Sequence, residues 1–377
     1  MKRLLPGTVL AVFALALASC GGGGGTTPQP GPVTTPAPVT TATPAPGGTT
    51  PTPTPHASST PTPTPPPPTP TPTIAPTPTP APQTLYVLDT GGGPNGIPEI
   101  VSFSAAVGGN VAPAHVITGS STTLSVPSGT SVFPIIAQGL VLNAAGTQIF
   151  TTASKTKVIS FPATMGGNIA PASTLTDSTT GLFAANAVAM DSSGNIYVAF
   201  GNNNEIDVFA PGSTGSMAPM RTITTGLSSP VGMAFDKAGN LYVCENGATG
   251  GPAGIVVYAP NASTPTTTIT SANLVTPASV AVDGQGRIIV ADPGMTPADV
   301  VIFPAGSGAS ATPVTTITAG LGSPSGVAVD RAGNIWVTDS GATAGAGVFE
   351  FSPTGAAELS IVGTATTLSS PAFIAIF

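Results

Sequence analysis

Four carboxylates recur at one place in a repeating sequence: Asp89, Glu245, Asp292 and Asp339. Each closes a short β-branched or aromatic run, LYVLD, LYVCE, IIVAD and IWVTD. If those runs are equivalent strands, the four acids share one face of the fold. A ring of carboxylate oxygens is the donor set a hard divalent cation such as Ca2+ takes. The same residues have a plainer use, because an aspartate readily accepts backbone N–H groups of its own turn. In a repeat protein a recurring residue is first a structural part. The matching position is Phe200 in another copy, and Ile149 to Ala153 holds no acid, so the ring would be incomplete.

A second set, Asp191, Asp236, Asp283 and Asp330, is spaced 45, 47 and 47 residues apart. Each precedes two variable residues and a Gly-Asn or similar pair, and caps a tight turn on the opposite face. Other chemistry is sparse. His115 is the one histidine after Thr84, too few for a histidine-ligated metal or a paired His base. There is no HExxH, no serine nucleophile elbow and no Cys/His pair. Cys244 reads as a small buried apolar residue in a strand.

The elements that position these residues come from the repeat. NAVAMDSSGNIYVAF, VGMAFDKAGNLYVCE, ASVAVDGQGRIIVAD and SGVAVDRAGNIWVTD align, and GLVLNAAGTQIFTT is a fainter copy with Asn143 in place of the turn aspartate. Each predicts a first strand of small and branched residues, a turn, and a β-branched second strand. Third strands are predicted to begin at Glu99, Lys157, Glu205, Gly254, Asp299 and Gly347, and a Thr/Ile-rich fourth strand follows in most copies. Four strands per repeat of about 45 residues is the β-propeller pattern. LYVLD at Leu85 has no first strand before it, while LSSPAFIAIF from Leu368 has no second strand after it. The two should pair and close a ring of six blades, hiding two exposed edges.

This motif resembles the NHL repeat, most closely at PVGMAFD from Pro230 and PSGVAVD from Pro324. The resemblance spans nearly all of residues 85–377 and implies an all-β, six-bladed NHL-like propeller. It departs from the family in the third strands, which begin here with Glu, Asp, Gly or Lys. A looser likeness to gluconolactonase-like six-bladed enzymes implies a metal held by Glu, Asn and Asp at the channel. Residues of those types are present (Glu205, Asn246, Asp292), but no motif ties them together.

The first 83 residues read differently. Lys2 and Arg3 precede an apolar stretch, Val9 to Ala18, whose ten residues fall short of the roughly 20 that span a bilayer. Leu17-Ala18-Ser19-Cys20 resembles the lipobox of bacterial lipoproteins, which implies a signal peptide over 1–19 and a palmitate-type acyl anchor on Cys20. Residues 20–83 are Gly-rich, then Thr-Pro repeats that favour polyproline II and cannot build a core. Fully extended, the 63 residues after Cys20 reach at most about 195 Å. Residues 84–377 form the propeller.

All 15 acidic residues lie after Thr84, against six bases, a formal charge of −9 for that segment. Without a Lys/Arg cluster along the chain, nucleic-acid binding is set aside. The expectation is a monomeric, membrane-anchored binding or scaffold propeller in a bacterial cell envelope. It would face the periplasm or the cell surface and engage a protein or envelope glycan through variable loops. The alternative is a metal-dependent, lactonase-like hydrolase.

Overall fold

The computed structural model describes residues 82–91, 97–124, 139–153, 157–178, 185–247 and 251–377. The expected signal peptide, Cys20 and the tether lie outside the described residues. What is described is an all-β ring of six sheets.

Every second strand is hydrophobic on both faces, because it is sandwiched between two neighbouring blades. In the fifth blade, Ile288 and Val290 pack toward the fourth, while Ile289 and Ala291 pack toward the sixth. In the first blade, Leu85 and Val87 face the sixth, and Tyr86 and Leu88 face the second. Strand alternation thus sends successive side chains to opposite neighbours. The core is accordingly six clusters, one at each blade–blade interface. Trp336, fully buried, anchors the interface between the sixth and first blades. The first strands line the channel, where neighbouring backbones crowd. A Cβ on Gly232 would come 2.7 Å from the Ala278 carbonyl oxygen, and one on Gly326 2.8 Å from that of Ala372.

The third strands begin at Glu99, Lys157, Glu205, Gly254, Asp299 and Gly347, as the repeat predicts. Closure is also as predicted. Pro371–Ile376 pairs antiparallel with Thr84–Asp89 and serves as the inner strand of the first blade. The four-stranded expectation needs one correction. The second blade has a fifth strand, Gly215–Met217, which comes from the third blade and runs parallel to Ser173–Asp177.

The outer rim is laced between blades by a feature that repeat periodicity does not reveal. Asn110 accepts the backbone N–H of Ala365 at 2.7 Å, and Asn168 that of Ser121 at 2.7 Å. Each caps a single 3-10 turn, Thr364–Thr366 or Ser120–Thr122, on the preceding blade. Both asparagines follow a Gly-Gly pair, in the near-identical segments GGNVAP and GGNIAP.

Candidate functional site

The four recurrent carboxylates end the second strands on one face of the ring, as the spacing implies. Each then reaches into the loop that enters the inner strand of its own blade. Asp292 accepts the N–H groups of Val275 (2.5 Å), Thr276 (2.9 Å) and Gly294 (3.0 Å). Asp339 repeats the arrangement with Gly322 (2.9 Å), Ser323 (3.0 Å) and Gly341 (2.7 Å). Asp89 takes Gly91 (2.9 Å), Ser369 (2.5 Å) and Ser370 (3.1 Å), so here the same contact joins the two ends of the ring. Glu245, one methylene longer, takes only Ser228 among the described residues, at 2.6 Å. The three aspartates are fully buried. A buried carboxylate holding three N–H groups is a latch for two backbone segments, with charge-assisted bonds on every side. Among the described residues no three Asp, Glu, His or Cys side chains come together as a metal site.

Two latches have an acidic neighbour directly across the strand pair, Asp89 opposite Glu99 and Asp292 opposite Asp299. Desolvation pushes the Asp299 carboxyl up to about 7, and the Asp292 charge adds to the shift. Its buried Oδ1 has no hydrogen-bond partner among the described residues. Burial likewise raises Glu245 to about 7, against the opposing Ser228 N–H, and its Oε1 has no partner among the described residues. Glu99 is raised by burial, an effect reduced by the Thr367 hydroxyl that donates to it and reinforced by Asp89. The buried Cys244 thiol is pushed well up, first by desolvation and then by Glu245 and Asp292, and is not a ready nucleophile.

The turn aspartates lie on the opposite face and hold their own hairpins. Asp191 accepts the N–H groups of Ser193 and Asn195, both at 2.9 Å, and Asp236 and Asp330 do the same in their blades. In the second blade Asn143 takes this place, accepting Thr147 at 2.8 Å and Gln148 at 3.1 Å. The fainter copy therefore keeps the function of the aspartate with a neutral acceptor.

The residue types suggested by the lactonase likeness do not converge on one cavity. Glu205 accepts the exposed side chain of Asn203, Asp292 is a latch, and only Asn246 opens onto the channel. His115 is exposed on the outer strand of the first blade. Apart from Asn246, the residues at the channel mouth beside the latches are ones that sequence reasoning missed. A cavity of about 420 Å³ is lined there by Asn186, Asn246, Thr276 and Ser325, with Phe373 and four prolyl or alanyl side chains among its apolar walls. Its polar groups are neutral amides and hydroxyls. The Asn186 side chain points toward the Pro230 carbonyl, and the Ser325 hydroxyl donates to that of Pro371 at 2.9 Å. Asn186 and Ser325 occupy the second position of their inner strands, and that shared register was the signal available in the sequence.

The NHL repeat family model matches residues 321–342, the inner and second strands of the sixth blade. No curated protein matches the chain. Among solved structures 1067 chains match, a breadth that identifies a common fold and not an activity. One is a protein of unknown function from Bacteroides caccae, 14% identical, with a TM-score of 0.54 over 79% of this chain and 99% of that one. Another is a protein provisionally assigned as a gluconolactonase, 17% identical, with a TM-score of 0.47 over 63% of this chain and 83% of that one. Fold, repeat and family model agree on an NHL-like six-bladed β-propeller.

Proposed function

We propose that this propeller is a non-enzymatic binding module that takes a neutral polar ligand, an envelope glycan or a peptide segment, at the channel mouth beside Asn186, Asn246 and Ser325. One observation carries the reading. Asp292 and Asp339, the aspartates that could have armed this face for hydrolysis, spend their oxygens on backbone N–H groups, and the cavity beside them is lined by amides and hydroxyls that can meet a ligand. Amide and hydroxyl groups around a small apolar floor suit a sugar hydroxyl or a peptide bond. A metal-dependent hydrolase would need carboxylate oxygens presented to the cavity, and Asp292 and Asp339 turn theirs into the loops. The wider setting is also proposed. An acyl chain on Cys20 would hold the protein to a bacterial membrane, with the Thr/Pro-rich tether carrying the propeller, as a monomer, out from the lipid surface.

The test is a thermal-unfolding screen of the purified protein against neutral oligosaccharides, peptidoglycan fragments and short unstructured peptides. A ligand at 100 times its dissociation constant stabilises by about 2.7 kcal/mol, which a melting curve resolves. The expected result is one responding class whose affinity falls at least tenfold in Asn186→Ala, with the ligand-free melting temperature nearly unchanged. Unaltered binding in that variant, or metal-dependent turnover of a lactone or ester by the parent protein, would overturn the reading.

A further inference from the structure

The other mouth of the channel, where the inner strands end, carries charged side chains in place of neutral ones. A cavity of about 630 Å³ lies there between the ends of three inner strands, Val282, Val329 and Ile376. Its rim carries Lys237, Arg287 and Arg331. These are half of the six bases found after Thr84, in a segment with a formal charge of −9. They come from equivalent turns of three successive blades, so the ring gathers charges that stand 50 and 44 residues apart in sequence. That is why no basic cluster is visible along the chain.

The three cations are not equally engaged. Arg287 is fixed: its Nε donates to Asp283 at 2.6 Å and its Nη1 to the Pro353 carbonyl at 2.6 Å, bridging the fifth and sixth blades. Arg331 is stacked over the Phe377 ring at 5.8 Å, and Lys237 reaches across to the next turn, where a Cβ on Gly284 would meet its Nζ at 3.0 Å. Among the described residues, neither the Lys237 ammonium nor the Arg331 guanidinium has a hydrogen-bond or ion-pair partner. The two acids on the rim make no hydrogen bond or ion pair with either of them among the described residues, and three bases against two acids leave the rim with a formal charge of +1. Asp283 is held by Arg287 and by the N–H groups of Gln285 and Arg287. Asp330 is held by the N–H groups of Ala332 and Asn334 and by the Trp336 indole. One fixed guanidinium between two unpaired cations, around a hollow of ligand size, matches the needs of an oxyanion.

We propose that this mouth is a binding site for a small organic oxyanion, a carboxylate or a phosphate ester, held by Lys237 and Arg331 over Arg287. It is a separate site from the neutral mouth, and each can stand without the other. The test is calorimetric titration of the purified full chain with citrate and with inorganic phosphate, using glucose as a neutral control. Saturable binding of at least one anion is expected, weakening as sodium chloride is raised because exposed charges are screened. Affinity should fall at least tenfold in Lys237→Ala/Arg331→Ala and recover in Lys237→Arg/Arg331→Lys. Binding of citrate alone would identify the carboxylate source, and binding of phosphate alone the phosphate source. Should the double variant fail to fold, Lys237→Ala alone, at an exposed turn position, carries the comparison. No binding of either anion by the parent protein, or equal affinity in the alanine variants, would overturn the proposal.

Discussion

Asp89→Ala is expected to destabilise the protein far more than the formally similar Asp191→Ala. Both residues accept backbone N–H groups, but the settings differ. Asp191 caps an exposed hairpin whose N–H groups can turn to water. Asp89 is fully buried and receives Gly91, Ser369 and Ser370, and the latter two lead into the strand that closes the ring. Removing its carboxylate strands those donors in a site water does not reach, at roughly 1–3 kcal/mol for each group left unsatisfied. It also loosens Pro371–Ile376, which carries Ile374 into the interface with the sixth blade. We expect a loss of about 3 kcal/mol or more for Asp89→Ala and about 1 kcal/mol for Asp191→Ala, read as the shift in urea-unfolding midpoint. Equal losses would mean that the closure does not depend on this latch.

The second large effect is on pH dependence. Asp299 and Glu245 both have folded-state values raised to about 7, Asp299 by burial and the Asp292 charge, Glu245 by burial alone. Each therefore binds its proton more tightly in the folded protein than in the unfolded chain, where carboxylates titrate near 4. The sign follows: their favourable contribution is complete below about pH 4 and is lost as pH rises through about 7. Melting temperature should fall across that interval, unlike the common rise from acid toward neutrality. Asp299→Asn replaces the carboxylic acid with a neutral group of the same shape. It should flatten the fall and stabilise the protein at pH 8, on the order of 1–3 kcal/mol. A variant that melts below the parent at pH 8 would show that Asp299 is ionised and satisfied in the fold.

The repeat made the blades legible because a propeller strand is constrained twice, by its own ladder and by two neighbouring blades. The third-strand starts and the closing strand are where the spacing puts them, and the turn aspartates hold hairpins as their Asp-x-x-Gly context implies. What escaped are contacts that exist only once the ring has closed. The latch carboxylates were read through their own turns, and Asp292 does hold Gly294. Its other partners, Val275 and Thr276, lie 17 and 16 residues upstream, beyond the reach of any turn rule. The lacing by Asn110 and Asn168 was visible only as a twice-repeated Gly-Gly-Asn, a pattern without meaning until the neighbouring blade is beside it. The basic mouth is the same lesson in charge. Lys237, Arg287 and Arg331 are isolated in sequence, and their convergence comes from ring geometry alone.

The measurement that bears most directly on the account is thermal unfolding of the parent protein and Asp292→Asn, each in excess EDTA and in millimolar calcium. If the carboxylates are latches, the parent melts at one temperature in both conditions. Asp292→Asn then melts lower by the same amount in each, because its amide turns a donor toward the Val275 N–H that the carboxylate had accepted. A calcium-dependent rise in the parent that vanishes in Asp292→Asn would contradict this, making the ring of acids a cation site and returning hydrolysis to this face.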